Sequence, residues 1–230
     1  MTKAQVVTTI VVPNYAVAVV GDPKSGKTHF ALTFPEPIAL FSFDRGADFV
    51  VRRFPSKAIE VFHFNPPVQM SYPPAPFAEA LWAKFLKEYR ATVEGRKFKT
   101  IVLDTGTVLW EIIRWAYTEE ESRTQIRARD YGEPNARMSW CLLYPVDLGH
   151  YVVTTQYLKD KYVDDKATGE EILDGFKRTE GLVDITIRST AQGKALPTLT
   201  IKSSRFGPEL NEMVVQDYQN LNDFVLSTLP

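Results

Sequence analysis

The octapeptide GDPKSGKT, at residues 21–28, decides how this sequence folds. It matches the pattern G-x-x-x-x-G-K-[ST] in full, in which a glycine-rich loop turns its backbone N–H groups toward phosphate oxygens. The apolar run at residues 17–20 predicts a buried strand before the loop, and residues 27–34 predict a short helix that ends before Pro35 and Pro37. A strand before the loop and a helix after it is the setting that the motif requires. We therefore expect the helix to direct the positive end of its dipole at bound phosphate.

Every residue of this loop is a candidate for holding nucleotide phosphate. Lys27 is expected to reach the β- and γ-phosphates and so to act in catalysis as well, while Thr28 is expected to offer its hydroxyl group to Mg²⁺. Lys24 either adds positive charge at the phosphates or is exposed to solvent, and the sequence leaves both open. ATP and Mg²⁺ are the cofactors that this pattern indicates. The candidate set is Gly21, Asp22, Pro23, Lys24, Ser25, Gly26, Lys27 and Thr28.

Apolar runs beyond the loop alternate between strand and helix. Predicted strands lie at residues 38–43, 59–64, 100–104 and 150–155, and predicted helices at residues 77–90, 108–116 and 138–148. A hairpin over residues 158–173, expected to turn near residues 167–169, comes next, and strands at 183–188 and 198–202 follow it. The early alternation predicts a mostly parallel sheet covered on both faces, and the late strands are expected to be antiparallel. The fold class is therefore α/β, and residues 1–230 are expected to form one domain.

Composition and charge exclude several classes of protein. The chain has 230 residues and a formal net charge of -1, so its overall charge does not indicate a nucleic-acid or membrane partner. Cys141 is the only cysteine, which excludes an intramolecular disulfide bond and a cysteine zinc cluster. The N-terminal sequence lacks the order of a secretory signal, and no run approaches the ~20 apolar residues of a membrane span. We therefore expect a cytoplasmic protein with no membrane partner.

Two carboxylates follow predicted strands. Asp104 ends the run TIVLD and has the form of the acid that holds Mg²⁺ through water in phosphate-loop proteins, which makes it a metal candidate beside Thr28. Asp44 follows the run IALFSF, and in a parallel sheet the carboxyl ends of the strands share the edge where ligands bind. Asp44 is thus a candidate general base that orients the attacking water. A capping role in the turn Asp44-Arg45-Gly46 is the alternative.

Gln156 follows the strand run YVVTT and is expected at the same edge of the sheet. A neutral amide in this place is suited to detecting the γ-phosphate and passing its presence to the next segment. An ordinary polar strand end is the alternative.

Taken in order, these landmarks resemble the RecA-like recombinase ATPases, and most of all the phage-type AAA-family nucleotide-binding proteins that include the phage single-strand annealing ATPases. The resemblance spans about 15–208 and is carried by GDPKSGKT, FSFDRGAD, KTIVLDT, RDYGEPNARMSW, YVVTTQYLKDKY, DITIR and TIKSSRFG. It implies a three-layer P-loop NTPase fold with a RecA-like core. It also implies an ATPase that assembles into a ring or filament of identical subunits.

The resemblance implies roles for individual residues. Asp44 stands where these relatives carry a catalytic glutamate, so its shorter side chain has to position water differently. Gln156 stands where they carry the glutamine that couples the γ-phosphate to a DNA-binding loop. Lys202 and Arg205 stand where they place cations that reach the ATP of a neighbouring subunit, which implies that hydrolysis requires assembly. A solvated strand end is the alternative for these two residues.

The segment RARDYGEPNAR, at residues 127–137, stands where the relatives have their first DNA-facing loop. It offers Arg127, Arg129 and Arg137 to phosphates and Tyr131 for stacking on bases, a combination that binds single-stranded DNA. A charged surface loop is the alternative. The resemblance therefore implies a DNA-dependent ATPase in recombination or single-strand annealing, with a single-strand-binding protein as a candidate partner.

Two other functions stay open on the sequence. One is a phosphotransferase that acts on a small molecule, because many P-loop kinases have this size. The other is a module in which ATP fixes a conformation or an assembly and is not hydrolysed.

Overall fold

The computed structural model describes residues 14–68, 76–164, 166–191 and 196–228. The strands in these ranges are β1 (Ala16–Gly21), β2 (Ile38–Ser42), β3 (Ile59–His63), β4 (Thr100–Asp104), β5 (Tyr151–Val163), β6 (Lys166–Asp174), β7 (Ile185–Thr190), β8 (Thr198–Ser204) and β9 (Val214–Val215). They form one sheet with the order β3-β2-β4-β5-β1-β7-β8-β9, and β6 pairs only with the outer part of β5.

The helices are α1 (Lys27–Ala31), α2 (Ala47–Val51), α3 (Ala78–Glu94), α4 (Gly106–Glu120), α5 (Gly132–Asp147), α6 (Thr179–Leu182) and α7 (Tyr218–Ser227). Short 3-10 turns precede α5 at Ala128–Tyr131 and follow β8 at Pro208–Leu210. None of the helices in the described part of the chain is long and apolar enough to cross a membrane.

The central strands run parallel and the late strands antiparallel, as the sequence predicts. Parallel pairing joins β2 to β3 and β4, β4 to β5, and β1 to β5 and β7. Antiparallel pairing joins β7 to β8 and β8 to β9. The predicted α/β fold class with a mostly parallel sheet is therefore confirmed.

Two apolar layers cover the sheet because successive side chains of a strand point to opposite faces. On β2, Phe41 packs in the cluster that α3, α4 and α5 build, while Leu40 packs in the cluster with α1 and α7. Helix α3 presents Trp82, Phe85 and Tyr89 to the first cluster, at the three- and four-residue spacing of one helix face. The result is a three-layer arrangement of helices, sheet and helices.

The hairpin turns earlier than the sequence predicts. Strand β5 runs on to Val163 and β6 already begins at Lys166, so Gly169 lies within β6 and not in the predicted turn at residues 167–169. Asp164 takes the positive φ of 50° in the turn, a conformation that the short polar side chain of aspartate tolerates. Asp165 lies outside the described residues.

Candidate nucleotide-binding site

The phosphate loop crosses the carboxyl end of the sheet between β1 and α1. Gly21, which ends β1, has a φ of 155°, and a Cβ atom there would lie 2.1 Å from the backbone oxygen of Ser189 on β7. Gly26, just before α1, has a φ of 89°, in the left-handed region that favours glycine. The two glycines therefore let the loop lie close to the sheet edge and turn into the helix. Between them, Lys24 is exposed to solvent, which is one of its two predicted alternatives.

The Lys27 side chain is buried and folded back onto the loop. Its Nζ atom donates to the carbonyl oxygens of Gly21 at 2.9 Å and Asp22 at 2.5 Å. Burial lowers the pKa of Lys27 to about 8, although Asp104, Asp22 and Asp44 act in the opposite direction. The ammonium group thus sits in the loop on two weak neutral acceptors, which a phosphate oxygen can replace.

Thr28 and Asp104 meet beside the loop, as a shared Mg²⁺ site requires. The Thr28 Oγ1 atom lies 3.1 Å from Oδ1 and 3.0 Å from Oδ2 of Asp104. The hydroxyl group of Thr155 also donates to Asp104. Burial raises the pKa of Asp104 to about 6, while the hydrogen bond from Thr155 opposes this shift. A hydroxyl and a carboxylate side by side are the oxygen ligands that suit Mg²⁺.

Asp44 caps its turn and also lines the phosphate cavity, and its role as a general base stays a prediction. Its Oδ1 atom accepts the backbone N–H of Gly46 at 2.9 Å, as a turn cap does. Its Oδ2 atom accepts a hydrogen bond from the Tyr157 hydroxyl group at 3.0 Å. Asp44, Asp104 and the loop line one cavity of about 430 Å³. The size of this cavity and the charged side chains at its phosphate end fit a nucleoside triphosphate.

Sequence reasoning missed Tyr157, which completes this cavity. Its ring lies under the Lys27 ammonium group, with Nζ 4.7 Å from the ring centroid. The signal was available in the alternation of β5, because Thr155 and Tyr157 lie two residues apart on one face of the strand. An aromatic residue two positions after a buried threonine at the strand end was therefore a candidate for the site.

Gln156 is placed differently from the prediction. It lies on the opposite face of β5 from Thr155, is fully buried, and packs beside Gly106 and Gly175. Neither atom of its amide group has a hydrogen-bond partner among the described residues. The expected amide at the mouth of the phosphate site is thus turned into the layer of helix α4, because alternation in an extended strand sends neighbouring side chains to opposite faces.

Lys202 and Arg205 lie away from the phosphate loop and are bound within their own chain. Lys202 pairs with Glu180 at 2.8 Å. Arg205 donates to the carbonyl oxygen of Gly181 at 2.6 Å and lies 3.4 Å from Asp184. Strand β8 runs antiparallel to β7, and β7 runs parallel to β1, which leads into the phosphate loop. The C-terminal end of β8, with Arg205 just after it, therefore lies at the opposite edge of the sheet from the loop. A contact of either cation with the ATP of a neighbouring subunit stays a prediction.

The segment at residues 127–137 is not the open loop that the sequence predicts. It forms a 3-10 turn followed by the first turns of α5. Tyr131 stacks beside Trp110, with ring centroids 6.3 Å apart. Arg137 donates to Glu120 and Glu133, which favours an intramolecular role for this side chain.

Arg127 and Arg129 are exposed on the same turn. Arg129 has one distant ion pair, with Asp130 at 3.7 Å. Their predicted contact with DNA phosphates stays a prediction, and the fold leaves both side chains accessible.

Comparison with known proteins gives a family match. A family model described as an AAA domain matches residues 13–214, most of the chain. No curated protein matches the sequence. Among solved structures, the chain is similar to the KaiC-like protein PH0186 of the hyperthermophilic archaeon Pyrococcus horikoshii OT3, with 15% identity and a TM-score of 0.49 over 87% of this chain and 82% of that chain. The span of the family match contains the phosphate loop, both carboxylates and Tyr157.

Proposed function

Because this chain belongs to the AAA domain family of P-loop ATPases, we propose that it binds ATP together with Mg²⁺ and hydrolyses the bond to the γ-phosphate. One observation carries the proposal. Thr28 Oγ1 lies 3.1 and 3.0 Å from the two carboxylate oxygens of Asp104, in the same cavity as the ammonium group of Lys27. Oxygen ligands for Mg²⁺ and a cation for phosphate are therefore side by side, and the residues present fit both groups.

Four residues of the cavity each have a task in this proposal. Thr28 offers its hydroxyl oxygen and Asp104 its carboxylate to the metal. Lys27 leaves its two loop carbonyls and places its charge against the phosphates. Asp44 orients the attacking water and takes up its proton. When bound, Mg²⁺ supplies positive charge that stabilises the transferred phosphoryl group.

We further propose that single-stranded DNA stimulates this ATPase, in recombination or single-strand annealing. A second cavity, of about 440 Å³, supports this part. Cations and aromatic rings line it together: Lys177 and Arg178 are exposed, Arg114 and Tyr131 are half-buried, and the rings of Trp110 and Phe176 are buried behind them. Single-stranded DNA is bound by stacking of its bases on accessible rings, for which Tyr131 is the candidate in this cavity, and by cations at its phosphates. The carboxylates of Glu111 and Asp174 also line the cavity, and Asp174 is neutralised by Lys159 at 2.8 Å.

Assembly into identical subunits, with a single-strand-binding protein as an accessory partner, belongs to the same proposal. Arg205 is the candidate for reaching a neighbouring ATP, and it would first have to leave Asp184 and Gly181 of its own chain. Mixing Arg205→Ala with Lys27→Ala subunits tests this point, since a shared site regains activity in the mixture. Activity that stays at the sum of the two separate variants would remove the shared site.

The experiment that tests the function is release of phosphate from ATP and Mg²⁺, with and without single-stranded DNA. Lys27→Ala serves as the blank, because it removes the cation of the phosphate loop. Turnover in the wild type that DNA increases supports both the ATP hydrolysis and its stimulation by DNA. Turnover that ignores DNA retains the ATPase and removes the DNA part, and tight ATP binding without turnover indicates the nucleotide-fixed module instead.

A further inference from the structure

Tyr157 contacts two charged groups of the phosphate cavity that come from different elements. Its hydroxyl group donates to Oδ2 of Asp44, which follows β2, and its ring lies against Lys27, which begins α1. Among the described residues, no other side chain hydrogen-bonds to the carboxylate of Asp44. The orientation of this carboxylate therefore depends on Tyr157 and on the backbone N–H of Gly46.

The backbone of Tyr157 is itself held in place. Its N–H group donates to Oγ1 of Thr107 at 3.0 Å, and the Thr107 hydroxyl donates in turn to the carbonyl oxygen of Asp174 at 2.8 Å. Thr107 is buried in the first turn of α4, and Asp174 pairs with Tyr157 at the base of the hairpin. The backbone of Tyr157 is thus fixed by its own strand β5, by the paired strand β6 and by helix α4.

The chemistry of the phenol allows one role in this contact. Burial, followed by the charge of Asp44, raises the pKa of Tyr157 above its usual value, so the hydroxyl group keeps its proton at neutral pH. Tyr157 therefore donates to the carboxylate and does not compete with it for a proton. A carboxylate oxygen has two lone pairs, so Oδ2 of Asp44 keeps one for a water molecule.

We propose that Tyr157 is a positioning residue that holds Asp44 in the orientation for activating the attacking water. The inference rests on the proposed ATP hydrolysis, in which Asp44 is the base. It also accounts for how an aspartate, shorter than a glutamate, is fixed in this place: the phenol reaches to it from β5. The hydroxyl group acts on turnover through Asp44, while the ring contacts Lys27.

Tyr157→Phe tests the inference because it removes the hydroxyl group and keeps the ring. We expect kcat to fall about tenfold, and KM for ATP to change by less than about twofold, because the hydrogen bond that is removed acts on the reacting water and not on phosphate binding. In an Asp44→Ala background the same substitution should produce no further fall. Tyr162→Phe is the matched control, since Tyr162 is exposed on the hairpin and lies outside the phosphate cavity.

A second measurement covers the case in which Asp44→Ala is too slow to assay. Unfolding midpoints of the nucleotide-free single and double variants should be non-additive, because the two substitutions remove the same hydrogen bond. Additive midpoints, an unchanged kcat in Tyr157→Phe, or an equal loss in both backgrounds would each overturn the inference. A rise in KM alone would assign Tyr157 to Lys27 and phosphate binding, which also overturns it. Absence of turnover in the wild type removes the proposed function itself, whereas wild-type turnover with a silent Tyr157→Phe removes only this inference.

Discussion

Replacing Arg137 separates the two roles that residues 127–137 offer. The guanidinium group donates to both carboxylate oxygens of Glu120, at 2.9 and 2.7 Å, and to Glu133 at 3.0 Å, and it lies 5.7 Å from the ring centroid of Trp82. A two-pronged pair is stronger than an ordinary surface pair. The side chain of Arg137 is 18% exposed, so solvent screens part of this gain. We therefore expect Arg137→Ala to lower the free energy of unfolding by about 1–2 kcal/mol.

The assay is urea unfolding followed by circular dichroism, with thermal unfolding as a check. For a chain of this length each kcal/mol corresponds to about 2–4 °C in the melting temperature. Arg129→Ala is the matched control, because its side chain is 73% exposed and its carboxylate neighbour is 3.7 Å away. We expect the control to change the free energy of unfolding by less than about 0.5 kcal/mol.

Binding of single-stranded DNA at several salt concentrations completes the test. If Arg137 serves the fold, its replacement leaves the salt dependence of DNA binding unchanged. The reasoning is refuted by an Arg137→Ala protein that is as stable as the wild type and binds DNA with a shallower salt dependence.

The remaining predictions concern the two cavities. Thr28→Val should lower turnover at limiting Mg²⁺ by at least about tenfold and recover in part at high Mg²⁺, because it removes a ligand of the metal; equal activity of both proteins across a Mg²⁺ titration would argue against that ligand. Burial lowers the pKa of Lys27 to about 8. Bound phosphate favours the charged form, so ATP binding near pH 9 should take up close to one proton, and binding near pH 7, where Lys27 is already charged and Asp104 is ionised, almost none. Calorimetry in buffers of different ionisation enthalpy measures this uptake, and an equal proton count at both pH values would contradict it. Replacing Arg114 and Arg178 by alanine should weaken binding of single-stranded DNA and reduce its salt slope by about 0.7 for each DNA phosphate that is no longer neutralised; an unaltered slope would clear the second cavity of DNA contact.

The sequence predicts those parts of the site that a local pattern specifies. Residues 21–28 carry their geometry in the spacing of two glycines, and the run before Asp104 marks a buried strand. The error at β5 has a different origin. Because side chains alternate with a period of two, a shift of one residue exchanges the faces of the strand. The sequence locates the end of the strand, but the side chain that lies in the phosphate cavity there is that of Tyr157, and the side chain of Gln156 lies on the opposite face.

Contacts between distant parts of the chain were beyond sequence reasoning. Arg137 binds Glu120 across the interface of α4 and α5, and no sequence pattern around either residue predicts this ion pair. The same holds for Asp44, whose hydroxyl donor is 113 residues away along the chain. The sequence therefore identifies charged residues as candidates for binding a ligand, but only the fold shows which of them already bind a partner within the chain.

Strand β5 is the element through which the two proposed activities can influence each other. Thr155 and Tyr157 on one face contact Asp104 and Asp44 in the phosphate cavity. The base of the hairpin that continues β5 supplies Asp174 to the aromatic and cationic cavity. The backbone carbonyl oxygen of Asp174 also accepts a hydrogen bond from the Thr107 hydroxyl group, and this hydroxyl group in turn accepts one from the backbone N–H of Tyr157. A ligand that moves the hairpin base would thus act on the hydrogen-bond donor of Asp44 through two hydrogen bonds, which gives the proposed stimulation by DNA a route that does not pass through the phosphate loop.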